Sequence, residues 1–135
     1  MKCVIDTNLA VSSLISPGGP PAGVLQAWRE GGLEWVSCIE QIDELFVTLT
    51  LPRIYAKVRG GLPVAKQLIQ EIEKSVALQA LVSPIPSICR DPKDDYLFAL
   101  FDQGHADWII SGDKDVVALK GRYPILTPRE LIDRL

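Results

Sequence analysis

Short apolar runs alternate with amphipathic stretches along the 135-residue chain. This pattern predicts strands that alternate with helices. The apolar runs interpreted as strands are residues 1–5, 33–36, 108–110 and 125–126, with a weak extended segment at 81–83. Because such alternation favours crossover connections, we expect an α/β fold with a mainly parallel sheet.

The predicted helices carry apolar residues at three- and four-residue spacing and have proline or glycine near their ends. They cover residues 9–15, 21–30, 39–49, 63–80, 91–101, 114–120 and 127 onward. Asp91, Pro92 and Asp94 form a typical helix start, with an N-cap, a proline at N1 and an acid at N3. Thr127 and Glu130 have the spacing of a capping box.

The composition is that of one ordinary globular domain, expected to cover residues 1–135, with 47% hydrophobic and 23% charged residues. The N-terminus has no signal-peptide pattern, and no apolar stretch is long enough to span a bilayer. We therefore expect no membrane partner and a cytoplasmic location. The three cysteines are far apart, and they fit buried thiols in a reducing compartment better than disulfides.

Carboxylates follow two of the predicted strands. Asp6 comes directly after the first strand, and Asp113 follows the 108–110 strand. In open α/β sheets ligands bind beyond the carboxyl ends of the strands. If these two strands are neighbours, the two acids share that edge, where their mutual repulsion favours a bound cation such as Mg²⁺ or Mn²⁺.

Each acid in this region also has an ordinary structural explanation. Asp6 and Asp113 fit helix N-caps. Asp94 and Asp115 fit first-turn acids that interact with the helix dipole. Asp95 and Glu44 fit solvated surface residues. Their joint placement at the edges of predicted elements is the stronger signal.

The order of four motifs is more specific than any one of them. Residues 4–8 (VIDTN), Glu44-Leu45, residues 90–95 (RDPKDD) and residues 111–115 (SGDKD) occur in this sequence. As an ordered set they resemble the PIN domain family of metal-dependent ribonucleases, in particular its VapC-like branch of toxin components from toxin–antitoxin systems. Residues 17–22 and 125–130 are also similar to that branch, so the resemblance covers the whole chain.

The resemblance implies a three-layer α/β/α domain around a central parallel sheet of about four to five strands. It implies an acidic catalytic site made of Asp6, Glu44, Asp94 and Asp113. By the same resemblance, Asp115 is a further metal ligand, and Asn8, Ser111 and Asp95 support the site. The spacing from Asp94, rather than from Asp95, to the apolar residues of the following helix matches the family pattern.

By the same resemblance, Mg²⁺ or Mn²⁺ held by the aspartates would support hydrolysis of an RNA phosphodiester. Glu44 would position or deprotonate the attacking water. The resemblance also implies a small cognate antitoxin and self-association as a homodimer.

A substrate surface is suggested by the stretch from residue 45 to residue 70, which contains no acid. Its cations Arg53, Lys57 and Arg59 lie near Tyr55, a combination that suits single-stranded RNA. A solvated helical hairpin explains the same pattern nearly as well. Lys114, between two of the site acids, is a further candidate for phosphate contact.

Three alternatives remain open at the level of the sequence. A haloacid-dehalogenase-type phosphoaspartyl enzyme also places an aspartate after its first strand, but it needs a second one where this chain has Asn8. A receiver-type signalling domain is similar in size but lacks the motif order. A non-catalytic PIN-like interaction module would be expected to have lost part of the acidic set.

The net charge of −3 at first disfavours a nucleic-acid partner. Yet five of the seventeen acids belong to the candidate site: Asp6, Glu44, Asp94, Asp113 and Asp115. The remaining twelve acids stand against fourteen lysines and arginines, which leaves a balance of +2. The distribution of charge therefore agrees with an RNA substrate, although the total does not.

Overall fold

The sheet has five strands, all parallel, in the order β3-β2-β1-β4-β5. A computed structural model describes residues 1–135. The strands are β1 (Lys2–Ile5), β2 (Glu34–Ser37), β3 (Ala77–Leu78), β4 (Trp108–Ile110) and β5 (Ile125–Leu126). The predicted α/β class and parallel sheet are confirmed.

Helices cover both faces of the sheet. They are α1 (Thr7–Ile15), α2 (Pro20–Arg29), α3 (Ile39–Leu49), α4 (Pro52–Tyr55), α5 (Gly61–Ser75), α6 (Asp95–Gln103), α7 (Lys114–Val117) and α8 (Pro128–Arg134). The predicted capping box of Thr127 and Glu130 is present at the start of α8. No helix combines the length and hydropathy needed to cross a bilayer.

The two-residue period of the strands divides the apolar core into two layers. Cys3 and Ile5 pack with helices α1, α2, α3, α5 and α8 on one face. Val4 and Ile109 pack with Leu97 and Phe98 of α6 on the other. This arrangement is the expected three-layer α/β/α architecture, and it aligns the carboxyl ends of all five strands on one edge.

Two predicted segments were wrong in their bounds. Helix α5 ends at Ser75 rather than near residue 80, and the edge strand is 77–78 rather than 81–83. The buried stripe of α5 stops at Ile72, and Val76 is extended. The chain therefore reaches β2 earlier than the apolar pattern suggested, with Leu78 in register with Ser37.

Three other helical segments also differ from the prediction. The segment after Asp91 begins as a 3-10 turn over Pro92–Asp94 and becomes α-helical only at Asp95. Helix α7 is one turn long, and residues 118–120 that follow it form turns. The short helix α4 was not predicted, and proline at its first position starts it.

A buried side-chain amide ties α3 to the sheet. Gln41 is 1% exposed. Its Oε1 accepts hydrogen bonds from the Trp35 indole at 3.3 Å and from the Ser37 hydroxyl. Its Nε2 donates to the carbonyl of Ile5, directly before Asp6. The amide therefore fixes the start of α3 against the ends of β1 and β2.

We expect Gln41→Leu to lower the free energy of unfolding by about 2 kcal/mol, because it leaves several buried polar groups without partners. Chemical denaturation followed by circular dichroism measures this loss. The control is Gln26→Leu, at an exposed position of α2, where a change within about 0.5 kcal/mol is expected. Equal stability of the two variants would contradict a structural role for the buried amide.

Candidate metal centre

Strands β1 and β4 are direct neighbours, with Val4 opposite Ile109. Their carboxyl ends therefore bring Asp6 and Asp113 together, as expected if the strands were adjacent. Ser111 links the two aspartates, because its hydroxyl donates to Asp6 Oδ2 at 2.7 Å and accepts from the Asp113 backbone N–H at 3.1 Å. Both acids begin helices, so their N-cap role is also present.

Asp94 joins Asp6 and Asp113 in one cluster of carboxylates. It is the last residue of the 3-10 turn that precedes α6. One carboxylate oxygen from each of Asp6, Asp94 and Asp113 lies within 4.8 Å of the others. Residues that are far apart in the chain are thus assembled into one three-carboxylate cluster.

The electrostatics of this cluster oppose full ionisation. Asp6 is 4% exposed, and burial raises its pKa, partly opposed by the hydrogen bond from Ser111. Burial raises the pKa of Asp94 to about 7, and the charges of Asp6 and Asp113 add to this effect. A cation would relieve this repulsion, since it stabilises all three charges together.

Glu44 lies at the rim of the cluster, on α3. It lines a cavity of about 340 Å³ together with the three aspartates, Thr48 and Lys93. Partial burial of its carboxylate raises the pKa of Glu44; the charge of Asp6 adds to this, and Lys93 opposes it. Asp91 also lines the cavity, which thus combines five carboxylates with one nearby ammonium group.

A hydrogen bond between the Thr7 and Tyr96 hydroxyls holds the first turn of α1 against α6. The Thr7 hydroxyl lies 2.9 Å from the Tyr96 hydroxyl, which is also 3.3 Å from Nε2 of Gln41. Helices α1, α3 and α6 therefore meet through hydrogen bonds directly beside Asp6 and Glu44.

Asp95 does not join the cluster. Its carboxylate accepts hydrogen bonds from the backbone N–H groups of Ile88 and Cys89, at 3.0 and 2.7 Å, and the residue is 8% exposed. The expectation of a solvated surface residue is therefore wrong for Asp95, because its carboxylate is buried and bonded to the backbone. Its observed contacts anchor the loop before α6, so among the two adjacent aspartates it is Asp94 that lies in the cluster.

Asp115 and Asn8 contribute through their backbones. The Asp115 N–H donates to Asp113 Oδ1 at 2.8 Å, and the Asn8 N–H donates to Asp6 Oδ1 at 3.2 Å. The side chain of Asn8 also lines the cavity, whereas Asp115 lies outside the group of mutually close carboxylates. Both residues thus orient the carboxylates that precede them.

The predicted cations are dispersed. Arg53 and Lys57 are exposed in and just after α4, beyond the end of α3 that carries Glu44. Arg59 lines a separate surface pocket with Arg29. Lys114 is exposed at the start of α7. The structure brings none of them into the cavity of the cluster, where Lys93 is the basic lining residue.

The donor set fits a hard divalent cation. Three carboxylates supply oxygen ligands, and backbone and hydroxyl donors orient two of them. Such orienting contacts are typical of metal ligands. Mg²⁺ and Mn²⁺ prefer oxygen ligands, and a few carboxylates beside an open cavity leave room for water and substrate.

Comparison with known proteins decides the family. A family model described as the PIN domain matches residues 2–115, which include all the acids of the cluster. The chain belongs to the PIN domain family. PIN domains are generally nucleases that use divalent metals, and the three-carboxylate cluster of this PIN domain is compatible with that chemistry.

Another comparison gives a relative without an assigned activity. The chain is 26% identical over 145 positions to an uncharacterized protein of Methanocaldococcus jannaschii, an alignment that covers 98% of this PIN domain and 90% of the relative. No solved structure matches the chain. The family is therefore established by the domain match rather than by a characterised relative.

Sequence reasoning overlooked several residues around this PIN-domain site. Neither Thr48 nor Gln41 was predicted from the sequence. Thr48 lies four residues after Glu44, and Gln41 three residues before it, so helical periodicity places all three on adjoining faces of α3. This three- and four-residue spacing along α3 is the sequence feature from which Thr48 and Gln41 could have been placed near Glu44.

Proposed function

We propose that this protein is a Mg²⁺- or Mn²⁺-dependent endoribonuclease that hydrolyses RNA phosphodiester bonds. The observation that carries the proposal is the approach of the Asp6, Asp94 and Asp113 carboxylates to within 4.8 Å at the carboxyl edge of the sheet. Uncompensated, this approach is unfavourable, whereas a metal nuclease requires it.

Different residues of the site would have separate roles. Asp6, Asp94 and Asp113 would hold the cation, with Ser111 and the backbone N–H of Asp115 fixing their orientation. When bound, Mg²⁺ or Mn²⁺ lowers the pKa of an attacking water and neutralises charge on the phosphate.

Glu44 would position or deprotonate that water. It lines the same cavity, and its raised pKa makes it a better proton acceptor than an ordinary glutamate. Lys93, which lines the same cavity, would attract the phosphate.

The metal assignment is tested by diffraction from crystals soaked in MnCl₂. We expect an anomalous peak bound by Asp6, Asp94 and Asp113, with Asp95 still bonded to the backbone of Ile88 and Cys89. The same map determines whether Asp115 contributes a ligand and whether a second ion is present. A peak elsewhere, or none at saturating Mn²⁺, would contradict the assignment.

Arg53 and Lys57 are proposed to contact RNA phosphates outside the cavity. For two lost phosphate contacts, we expect Arg53→Glu/Lys57→Glu to reduce the slope of log K against log salt concentration by about 1.4 for a single strand. Fluorescence anisotropy with a labelled oligoribonucleotide measures this slope; an Asp6→Asn background keeps the RNA intact.

The matched control for this pair reverses two other exposed cations, Lys74 and Arg122. They lie at the end of α5 and in the loop before β5. Equal slopes for the two double variants would support the solvated hairpin instead.

The finer proposal is that this nuclease is the toxin of a type II toxin–antitoxin pair in the cytoplasm. It is supported by the similarity of residues 17–22 and 125–130 to that branch, and three free buried thiols suit a reducing compartment. A cognate antitoxin covering the acidic cavity and a homodimer belong to the same proposal. Light scattering of the purified protein tests the dimer.

A non-catalytic interaction module is the alternative from a different class. The complete carboxylate cluster and its orienting hydrogen bonds favour the nuclease, because a module without metal chemistry has no need for this repulsion. Calorimetric titration with MnCl₂ separates them: absence of binding would favour the module. The family match likewise favours the nuclease over a phosphoaspartyl enzyme, which trapping of a phosphoaspartate would reveal.

A further inference from the structure

A second cavity adjoins the carboxylate cluster on the side away from Lys93. Its volume is about 290 Å³, and it shares Asp6, Asn8 and Asp113 with the acidic cavity. The rest of its wall includes Leu9 and Pro21. The two cavities therefore meet at the proposed metal site but differ in chemistry.

The wall of this second cavity is unsuited to a phosphate. Its charged members are the carboxylates of Asp6 and Asp113, and it has no basic residue. Pro21 is the second residue of α2 and Pro128 is the first residue of α8, so neither residue offers a backbone N–H to a phosphate. At α1, the N–H of Asn8 is already bonded to Asp6.

The same wall suits a flat, uncharged group. Leu9, Pro21 and Pro128 provide apolar surface, while Ser12 and the side chain of Asn8 provide hydrogen-bonding groups. Its volume is near the lower limit of about 300 Å³ for small-ligand pockets. A nucleobase has this combination of a planar apolar face and a polar edge.

We infer that this cavity binds the base of a nucleotide next to the scissile phosphate. The inference rests on the proposed nuclease function and adds a subsite to it. With the phosphate at the carboxylate cluster and Lys93 on one side, the base of the adjoining nucleotide occupies the Leu9–Pro21–Pro128 wall on the other. The subsite then contributes to the choice of the cleaved bond.

Gly112 offers a way to fill the cavity without backbone strain. It lines the cavity, its φ is outside the left-handed region, and a Cβ added there would meet Pro128 Cδ at an ordinary 3.9 Å. Gly112→Leu therefore occupies the base subsite. The matched control is Gly121→Leu, where an added Cβ has no neighbour within 4 Å.

The test compares an oligoribonucleotide with a series in which one abasic ribose is moved along the strand. For the wild type and Gly121→Leu, an abasic residue beside the cleaved bond should lower kcat/KM about tenfold, the size of one stacked base. For Gly112→Leu, the intact strand should already show this loss, and the abasic residue should add nothing.

A binding readout accompanies the kinetics. In MgCl₂, a nucleoside 5′-monophosphate should shift the amide NMR signals of Leu9, Ser12 and Gly112, while ribose 5-phosphate should not. Equal shifts with both ligands, or an abasic effect that persists in Gly112→Leu, would overturn the inference while leaving the nuclease proposal intact. Absence of any metal-dependent cleavage by the wild type would instead overturn the proposed function.

Discussion

Replacement of Asp6 by asparagine should reduce Mn²⁺-dependent RNA cleavage by more than about 100-fold. Loss of a hydrogen-bonding partner of a metal ligand already lowers metal affinity or activity by up to about 100-fold. Asp6 is proposed as a ligand itself, so its loss should have a larger effect. The amide is nearly isosteric, so its Oδ1 still accepts from the Asn8 N–H and its Nδ2 is able to donate to Ser111. Cleavage of a labelled RNA with and without EDTA measures the effect.

The stability of Asp6→Asn should equal or exceed that of the wild type without metal. Burial raises the pKa of Asp6, so its charged form is disfavoured in the fold, and the neutral amide removes that penalty. The control Asp43→Asn, at an exposed position of α3, should keep full activity. Full activity of Asp6→Asn would eliminate the metal mechanism.

The same pair of proteins tests the toxin proposal. Induced expression of the wild type in a bacterial host should arrest growth, and expression of Asp6→Asn should not. Arrest by both would assign the effect to something other than cleavage.

The metal-free protein should lose stability as the pH rises from about 4 to about 7. In the fold, burial and neighbouring charges raise the pKa of Asp94 from 3.8 to about 7. Folding therefore favours the protonated carboxyl; this contribution is complete below the unfolded pKa and disappears above the folded one. Because Asp94 is partly exposed to solvent, we expect a loss on the order of 1 kcal/mol, or a few degrees in Tm.

Divalent metal should reverse this loss at pH 8. At one hundred times its dissociation constant, a ligand that binds only the folded state stabilises it by about 2.7 kcal/mol. Scanning calorimetry with EDTA and with MgCl₂ or MnCl₂, at pH 5 and pH 8, measures both effects. Asp94→Asn should flatten the pH dependence and weaken the metal response, whereas Asp43→Asn should preserve both; an unchanged profile for Asp94→Asn would exclude it from the cluster.

The convergence of Asp6 and Asp113 was predictable from the sequence because parallel strands end at a common edge. Asp6 directly follows one strongly apolar run, and Asp113 comes three residues after the end of another, so the local pattern determines their positions. The strand β3 was not predictable in the same way, since two residues that pair at the edge of a sheet leave almost no periodicity.

The choice between Asp94 and Asp95 depended on tertiary structure. A helical phase separates adjacent residues by about 100°, which favoured Asp94 for the cluster but said nothing of a partner for Asp95. That partner is a pair of backbone N–H groups in the loop at residues 88–89. Likewise, the role of Gln41 depends on Trp35, Ser37 and Ile5, and the last of these lies on another strand.

The Ser111–Asp6 hydrogen bond joins residues 105 positions apart, across the pairing of β1 with β4. During synthesis, β1 therefore emerges from the ribosome long before its neighbour on this side. Until residue 113 has also emerged, a nascent chain holds at most two of the three clustered carboxylates. The proposed metal site therefore forms only after most of the chain has been synthesised, and a chain terminated before residue 113 lacks one of the proposed ligands.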